Sequence, residues 1–453
     1  METKEMELAR WARDYALKSG AKAVRARLMG HHEVNLELRN GEISRSGSED
    51  CTLLGLTLYR DDRCILLQTD KLSSKEELAR LIVRALETGA YLEADPDASL
   101  PPLQRKYTGE KSDDDACDPS ALAFDANHLL DLARRECRYE ALCQKAEGRK
   151  AQLISEVLNV SRSLTESFLC DSDAFEGSRS VSSWHIDSEI HLRDEGGRIH
   201  SQFDWESSPF LDRLQKGVCS ENAFRKCLER MGEQACGSFT GTMVVAAEKA
   251  SKFVNPLISA LRAEYVRRDQ SFLKGKTGEK VFADCLTVKD NPFRQGHPSS
   301  RDFDSEGVAT SELVLIDRGV VRAFYANTLH SRKSGLPQTF GEPCSNCIEP
   351  FCKGLEQNKK SVNLQDILSL VKDGIYVTDF NGGNCNPLSG DFSFGVEGFR
   401  IQDGKTAGPV CGMVVTGNLV SLFQGLVAAG SDAPEKMNDK VGTLAFEKVN
   451  FNG

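Results

Sequence analysis

An α+β fold, with an N-terminal sheet-plus-helices unit followed by a β-rich C-terminal domain around a central helix, is predicted by three observations. Residues 1–93 alternate capped amphipathic stretches with short apolar runs punctuated by Asn-Gly and Asp-Asp pairs. From residue 236 onward strand-like runs dominate, and one long apolar helical stretch, from about Glu248 to Arg267, interrupts them. A glycine- and phenylalanine-rich run from Gly374 to Gly404 has the alternation and turn chemistry of a hairpin. At 453 residues the chain exceeds one ordinary core. Four segments are expected: an α/β meander domain at 1–93, a linker at 94–120, a middle α+β domain at 121–235 and the β-rich domain at 236–453.

Taken in order, Leu8, Trp11, Ala12, Tyr15 and Ala16 recur at helical spacing, so residues 6–19 are expected as a helix that stops at Gly20. Strands follow at Val34 to Leu38, from Ile43, at Leu53 to Tyr59 and at Cys64 to Leu67, with turns at Asn40-Gly41 and Asp61-Asp62. Ser74 caps a helix with Glu77 at the capping-box position and Gly89 as the stop. Pro96, Pro101, Pro102, Pro119 and the acidic run Asp113 to Asp115 leave 94–120 little to bury, hence the linker. The middle unit is expected to hold helices at 126–144 and 220–233 and strands at 153–159, 160–169 and 178–192. Beyond it, strands are expected at 242–246, 313–316 and 320–325, with helices at 364–372 and 419–428. In the glycine run, Ile375 to Asp379 and Phe392 to Phe399 read as strands joined by a reversal at Asn381-Gly382-Gly383-Asn384. Its tip is either the wall of a peptide cleft or an ordinary sheet corner.

Composition excludes several classes. A net charge of −10 without a local Lys/Arg cluster disfavours phosphate-dominated nucleic-acid binding. No apolar run approaches the roughly 20 residues that span a bilayer, and the acidic start lacks the layout of a signal peptide, so a cytoplasmic location with no membrane contact is expected. The 15 cysteines are irregularly spaced, as suits reduced thiols.

The glycine run, together with Asp304-Ser-Glu-Gly307, Ser331-Arg-Lys-Ser-Gly-Leu336 and Val415-Thr-Gly-Asn-Leu-Val420, resembles the TldD/PmbA (TldE) family, long labelled modulators of DNA gyrase. The resemblance follows the same order over most of the chain. It implies an intracellular peptidase whose catalytic branch carries an HExxxH motif on the central helix and a supporting C-terminal cysteine. In this chain Asn255, Pro256 and Ala260 occupy the positions of the two histidines and the glutamate, and no cysteine follows Gly430. An amide is a poor zinc ligand, and proline and alanine offer no donor. The flanking Phe253, Val254, Leu257, Ile258 and Leu261 form an apolar stripe, with Asn255-Pro256 as an N-cap and first helical proline, or as a kink.

Other constellations hold residue types that carry chemistry. Cys344, Cys347 and Cys352 contain one C-x-x-C pair, with Cys385 as a distant fourth thiol: either a relocated zinc site or unpaired thiols. His185, Asp187, Glu189 and His191 share a strand face opposite Trp184, Ile186, Ile190 and Leu192, either a cation site or a solvated face. His31-His32-Glu33 lacks a second histidine at motif spacing, and His330 beside Ser331 lacks a nearby acid. Gly275-Lys-Thr-Gly278 lacks the glycine that a phosphate loop needs, so a turn is expected.

The reading is therefore a non-metal, PmbA/TldE-like subunit of an intracellular metallopeptidase, with no catalytic residues or cofactor of its own. The resemblance implies zinc in a TldD-type partner, a flexible or unfolded peptide as substrate, and a homodimer as one state of the lone chain. Cleft candidates are Asp304, Glu306 and Gly307, Ser331, Arg332 and Lys333, and Asn381, Gly382, Gly383 and Asn384. The alternatives are a stand-alone metallohydrolase with relocated ligands and a regulatory binding protein linked to DNA gyrase.

Overall fold

The structure is a computed structural model that describes residues 4–109, 116–122, 126–354 and 361–453. Helix α1 (Lys4–Lys18) buries Leu8 together with Ala9, Ala12 and Ala16, three small side chains that let it lie close on the sheet. Strands β1 (Ala23–Arg39) and β2 (Glu42–Arg60) are joined at Asn40 and Gly41, both at positive φ, and Asp61-Asp62 turns the chain into β3 (Arg63–Thr69) in the same way. The expected break between Ile43 and Leu53 does not occur. Residues 42–51 are solvent-facing on both sides and carry no apolar alternation, yet all but Ser44, skipped at a bulge, pair with β1, so pairing makes this part of the strand.

Helix α2 (Lys75–Gly89) starts at Ser74, whose hydroxyl accepts the Glu77 N–H. Gly89 is not its stop but its last residue, with Ala90 as C-cap. A Cβ there would stand 2.1 Å from Cδ1 of Ile65, so this glycine serves helix–sheet contact. After α3 (Pro119–Leu122), the single expected helix is two, α4 (Ala126–Glu136) and α5 (Tyr139–Glu147), broken at Cys137-Arg138. The two expected strands at 153–169 are one, β4 (Ala151–Asp171), followed by β5 (Glu176–Asp194), the unforeseen β6 (Ile199–Ser208) and α6 (Cys219–Arg230).

The strand order is β3-β2-β1-β4-β5-β6, so residues 1–93 and 121–235 share one sheet rather than forming separate ones. The join is the antiparallel β1–β4 register from Arg25↔Asp171 to Arg39↔Val157, a long-range pairing that no local pattern encodes. One face of this sheet carries three apolar clusters, under α1 and α2 at one end and under α4, α5 and α6 at the other. Nor is the intervening 94–120 segment, so far as it is described, a loose tether. Leu100 and Lys106 are buried, Lys106 forms a β-bridge with Val308, and its Nζ lies 2.7 Å from Asp171 and 3.0 Å from Asp173. Asp113 to Asp115 lie outside the described residues.

The C-terminal part begins with β7 (Gln234–Ala235) and β8 (Phe239–Val245). The expected helix at 248–267 is broken into α7 (Ser251–Ala260) and α8 (Ala263–Arg267). Pro256 lies inside α7, so the N-cap reading of Asn255 fails and proline stands at mid-helix, where it removes one backbone donor. Strands β9 (Val288–Asp290), β10 (Leu313–Asp317) and β11 (Val320–Val321) make a small sheet with β12 (Asn346–Ile348), and α9 (Thr328–Ser334) lies between the last two. Then come β13 (Phe351–Cys352), α10 (Leu364–Ser369), β14 (Asp373–Cys385), β15 (Asp391–Gln402) and β16 (Lys405–Asn418). The chain ends with α11 (Leu419–Gln424), β17 (Leu426–Ala429) and β18 (Leu444–Asn452). Because β18 pairs with both β8 and β16, strands β8, β14, β15, β16 and β18 close into a ring. From α7, Phe253 sets its ring edge-on to Phe380, Phe392, Phe394 and Phe446, at centroid distances of 5.2–6.0 Å. The central helix is thus the core of this domain.

The hairpin of the glycine run reverses elsewhere than expected. Asn381 to Asn384 form a bulge inside β14, with Gly382 and Gly383 at φ of 58° and 77°, and the chain turns at residues 386–390. There the Asn386 carboxamide accepts the Leu388 N–H and Ser389 bonds Asp391, a side-chain-built turn that captures the reversal from the glycines.

Candidate functional site

A cavity of about 1140 Å³ opens between the end strand β6 and the C-terminal domain. Its walls are Trp205 to Pro209 from β6 and the chain just after it, the 294–298 loop, the 435–439 loop, and Ser251 and Asn255 on α7. Alternation along β6 turns Phe203 and Trp205 away from the helix-covered face, where His200 and Asp204 are buried. Arg294 fixes the two loops to each other: its Nη1 donates to the carbonyls of Met437 (3.1 Å) and Asn438 (2.9 Å) and to Oγ of Ser345 (3.1 Å).

Lys436 ties the walls together. Its Nζ donates to the Trp205 carbonyl at 2.6 Å, lies 3.1 Å from Glu248 and 3.5 Å from Glu206, and sits 4.8 Å from the centroid of the Trp205 ring. Lys226 of α6 joins the cluster through Asp204 (2.7 Å) and Glu248 (3.3 Å). Burial pushes the Glu206 carboxyl up, with Lys436 opposing; burial acts likewise on Glu248, but Lys226 and Lys436 together bring it below its ordinary value. On the far wall, burial and then the Arg294 guanidinium push the His297 imidazole down to about 4, so it is neutral near pH 7 and bonds Ser299 Oγ at 2.7 Å through Nδ1.

At the motif positions on α7 the side chains do not fit a catalytic metal. Asn255 faces the cavity, but Ala260 is buried in the core and Pro256 has no donor atom. Among the described residues no group of three or more His, Cys, Asp or Glu side chains is disposed to hold a metal ion. Cys344 is buried against Arg301, whose Nε donates to Sγ at 3.0 Å, and burial pushes its thiol up to about 12. His185 bonds Asp187 at 3.1 Å and His191 lies 3.4 Å from Glu189, while Trp184, Ile186, Ile190 and Leu192 are buried on the other face. His31 bonds Thr165 at 3.0 Å, and burial lowers His330. Gly275 and Gly278 occupy turns at positive φ.

The other cleft candidates stand apart from the large cavity. Asp304 accepts N–H groups from Glu306 (2.8 Å), Val308 (3.0 Å) and Gly341 (2.7 Å) and lines a small cavity of about 310 Å³ with Arg27, Arg179 and Arg301. Burial, then Glu342, raises its carboxyl to about 6. Glu306 accepts the N–H (2.9 Å) and hydroxyl (2.7 Å) of Thr328 and lies 3.4 Å from Arg25 on β1. Gly307, at φ 80°, packs its Cα side against Phe175. Ser331 bonds the Leu336 carbonyl within its own turn, whereas Arg332 and Lys333 hold residues 95–99 through the Asp97 carbonyl, Ser99 and Asp95. Asn381 to Asn384 are exposed, and Asn381 bonds Glu397. Trp205, Arg294, His297 and Lys436 escaped sequence reasoning. Phe203-Asp-Trp205 was the one visible signal, an alternating aromatic pair.

Residues 239–453 match the PmbA/TldA metallopeptidase C-terminal domain. Over 429 residues the chain is 23% identical to the metalloprotease PmbA of Escherichia coli O157:H7, covering 93% of this chain and 90% of that protein. A PmbA homologue of Buchnera aphidicola is 24% identical over 56% of each chain, so the chain spans little more than half the length of that relative. Among solved structures, a protein described as a modulator of DNA gyrase from Bacteroides thetaiotaomicron superposes over the whole of both chains, with a TM-score of 0.91 and 32% identity. TldE of Thermococcus kodakarensis covers 99% of this chain and 100% of its own, at a TM-score of 0.78 and 20% identity, a likeness of fold.

Proposed function

The chain belongs to the PmbA/TldD metallopeptidase family, and from that premise we propose that it is the non-metal subunit of an intracellular two-component peptidase acting on flexible peptides. The observation that carries this reading is a central helix intact in packing but emptied of chemistry. Phe253, Val254, Leu257 and Ile258 keep α7 in the core, while Asn255, Pro256 and Ala260 stand where the resembled metal motif would be. Zinc and the water-activating glutamate then come from a TldD-type partner. This chain contributes a cleft wall. The end strand β6 beside the large cavity suits an extended peptide added as a further strand, a mode that needs backbone groups rather than a charged pocket.

The test is an assay of an unstructured peptide with the purified chain, with a TldD-type subunit bearing HExxxH, and with both. Cleavage is expected to be at background for the lone chain, strong in the mixture and abolished by a chelator. Cleavage by the lone chain, or stoichiometric zinc in it that Cys344→Ser or Cys347→Ser removes, would overturn the proposal in favour of a self-sufficient hydrolase.

A further inference from the structure

Beside the large cavity, and sharing Trp205 with it, lies a second, narrower one of about 490 Å³, within the range of small-molecule sites. Phe203, Trp205, Tyr376 and Phe399 bring four aromatic rings to its walls, from β6 on one side and β14 and β15 on the other. Phe203 is about half exposed, with the Lys249 ammonium 5.2 Å from its ring centroid. Arg230, at the end of α6, also lines this cavity and is only 5% exposed. Its Nε lies 2.9 Å from Glu233 and its Nη2 2.5 Å from Glu397, but Nη1 is buried without a hydrogen-bond partner. A buried, unused guanidinium N–H costs free energy unless something accepts from it.

The charges around it limit what that acceptor is. Glu233 and Glu397 already balance the guanidinium; Lys249 is paired with Asp379, Lys226 with Glu248 and Arg225 with Glu229, and the further carboxylate at the rim, Asp432, bonds Thr443. An incoming carboxylate would face carboxylates that have no spare cation, whereas a neutral carbonyl needs only the free N–H. We propose that this cavity is a specificity pocket that takes an aromatic side chain of a peptide, stacked among Phe203, Trp205, Tyr376 and Phe399, with an amide carbonyl of that peptide accepting from Arg230 Nη1. It rests on the reading of the chain as a peptide-handling subunit and adds a preference to it: aromatic residues inside a chain, not a free C-terminus.

The experiment titrates the lone, full-length chain with N-acetylphenylalaninamide, N-acetylalaninamide and N-acetylphenylalanine, read by saturation-transfer NMR and calorimetry. The aromatic amide is expected to bind with a Kd on the order of 1 mM; the alanine amide should show no saturable binding and the free acid weaker binding. Phe203→Ser, on a half-exposed ring, is expected to keep the melting temperature and weaken the aromatic amide roughly fivefold or more. Arg230→Lys, which retains the charge, is expected to erase the preference for amide over acid. No saturable binding of the aromatic amide, equal binding of the acid, or binding indifferent to both substitutions would overturn the proposal. Because no partner or protease assay enters, those failures leave the subunit reading standing. An intact pocket in a chain that does not activate a TldD-type partner would instead sink that reading alone.

Discussion

At the scale of single residues, the chain uses several polar groups that look functional to hold itself together. Asp304 is the clearest. Its three backbone N–H bonds brace the turn that ends at Val308, yet burial and Glu342 raise its pKa to about 6, above the usual carboxylate range. The folded state therefore binds this proton more tightly than the unfolded state, and stability falls as pH rises from about 4 to about 6. Asp304→Asn removes the titration. Urea unfolding at several pH values is expected to show wild-type stability declining relative to the variant by roughly 2–3 kcal/mol across that window. A constant difference would mean that the N–H bonds outweigh burial. Asn255, Pro256 and Ala260 are the opposite case: an amide is a poor zinc ligand and proline and alanine offer no donor, a matter of covalent chemistry that was legible without any fold.

At the scale of elements, backbone demands separate glycines that look alike. Gly382 has open space where a Cβ would go, but a Cβ on Gly383 would stand 1.9 Å from the Ser393 carbonyl oxygen, across the strand pair. Gly382→Asn is expected to cost under about 1 kcal/mol, because asparagine tolerates positive φ. Gly383→Val is expected to cost several times as much, since the contact is with backbone and the valine is strained at that φ. Thermal melts of the two variants decide it: similar losses would mean that the bulge simply opens. In α7, Phe253→Ala removes the ring on which four others converge, and a loss of roughly 3–5 kcal/mol is expected in denaturant titrations. A loss near 1 kcal/mol would show that the barrel end repacks without it.

At the scale of the whole molecule, the described residues 94–109 act as a strap between the sheet and the C-terminal domain. Its Lys106 backbone bridges Val308 while its ammonium, almost wholly buried, meets the fully buried Asp171 of β4. Removing one partner of such a pair strands the other charge. Lys106→Met is expected to lower stability by roughly 3 kcal/mol or more, whereas Lys333→Ala, breaking the more exposed pair with Asp95, costs under about 1 kcal/mol. Chemical denaturation measures both, and equal small effects would show that water reaches Asp171 and that the strap is loose.

What the sequence determined by itself was whatever depends on covalent identity and near neighbours. That includes the turns at Asn40-Gly41 and Asp61-Asp62, the Ser74 cap, the two faces of β5 and the missing donors on the central helix. Only the tertiary structure decided what depends on residues far apart in the chain. The β1–β4 pairing merges two expected units into one sheet, the polar stretch 42–51 becomes strand through its partner, and the side chains around Asn386 and Asp391 move the reversal of the glycine run. The cavities were illegible for the same reason. Lys436, Trp205, Arg294 and Arg230 carry no shared local motif, and they converge because a closed barrel and a long sheet bring distant segments together to bury their apolar faces.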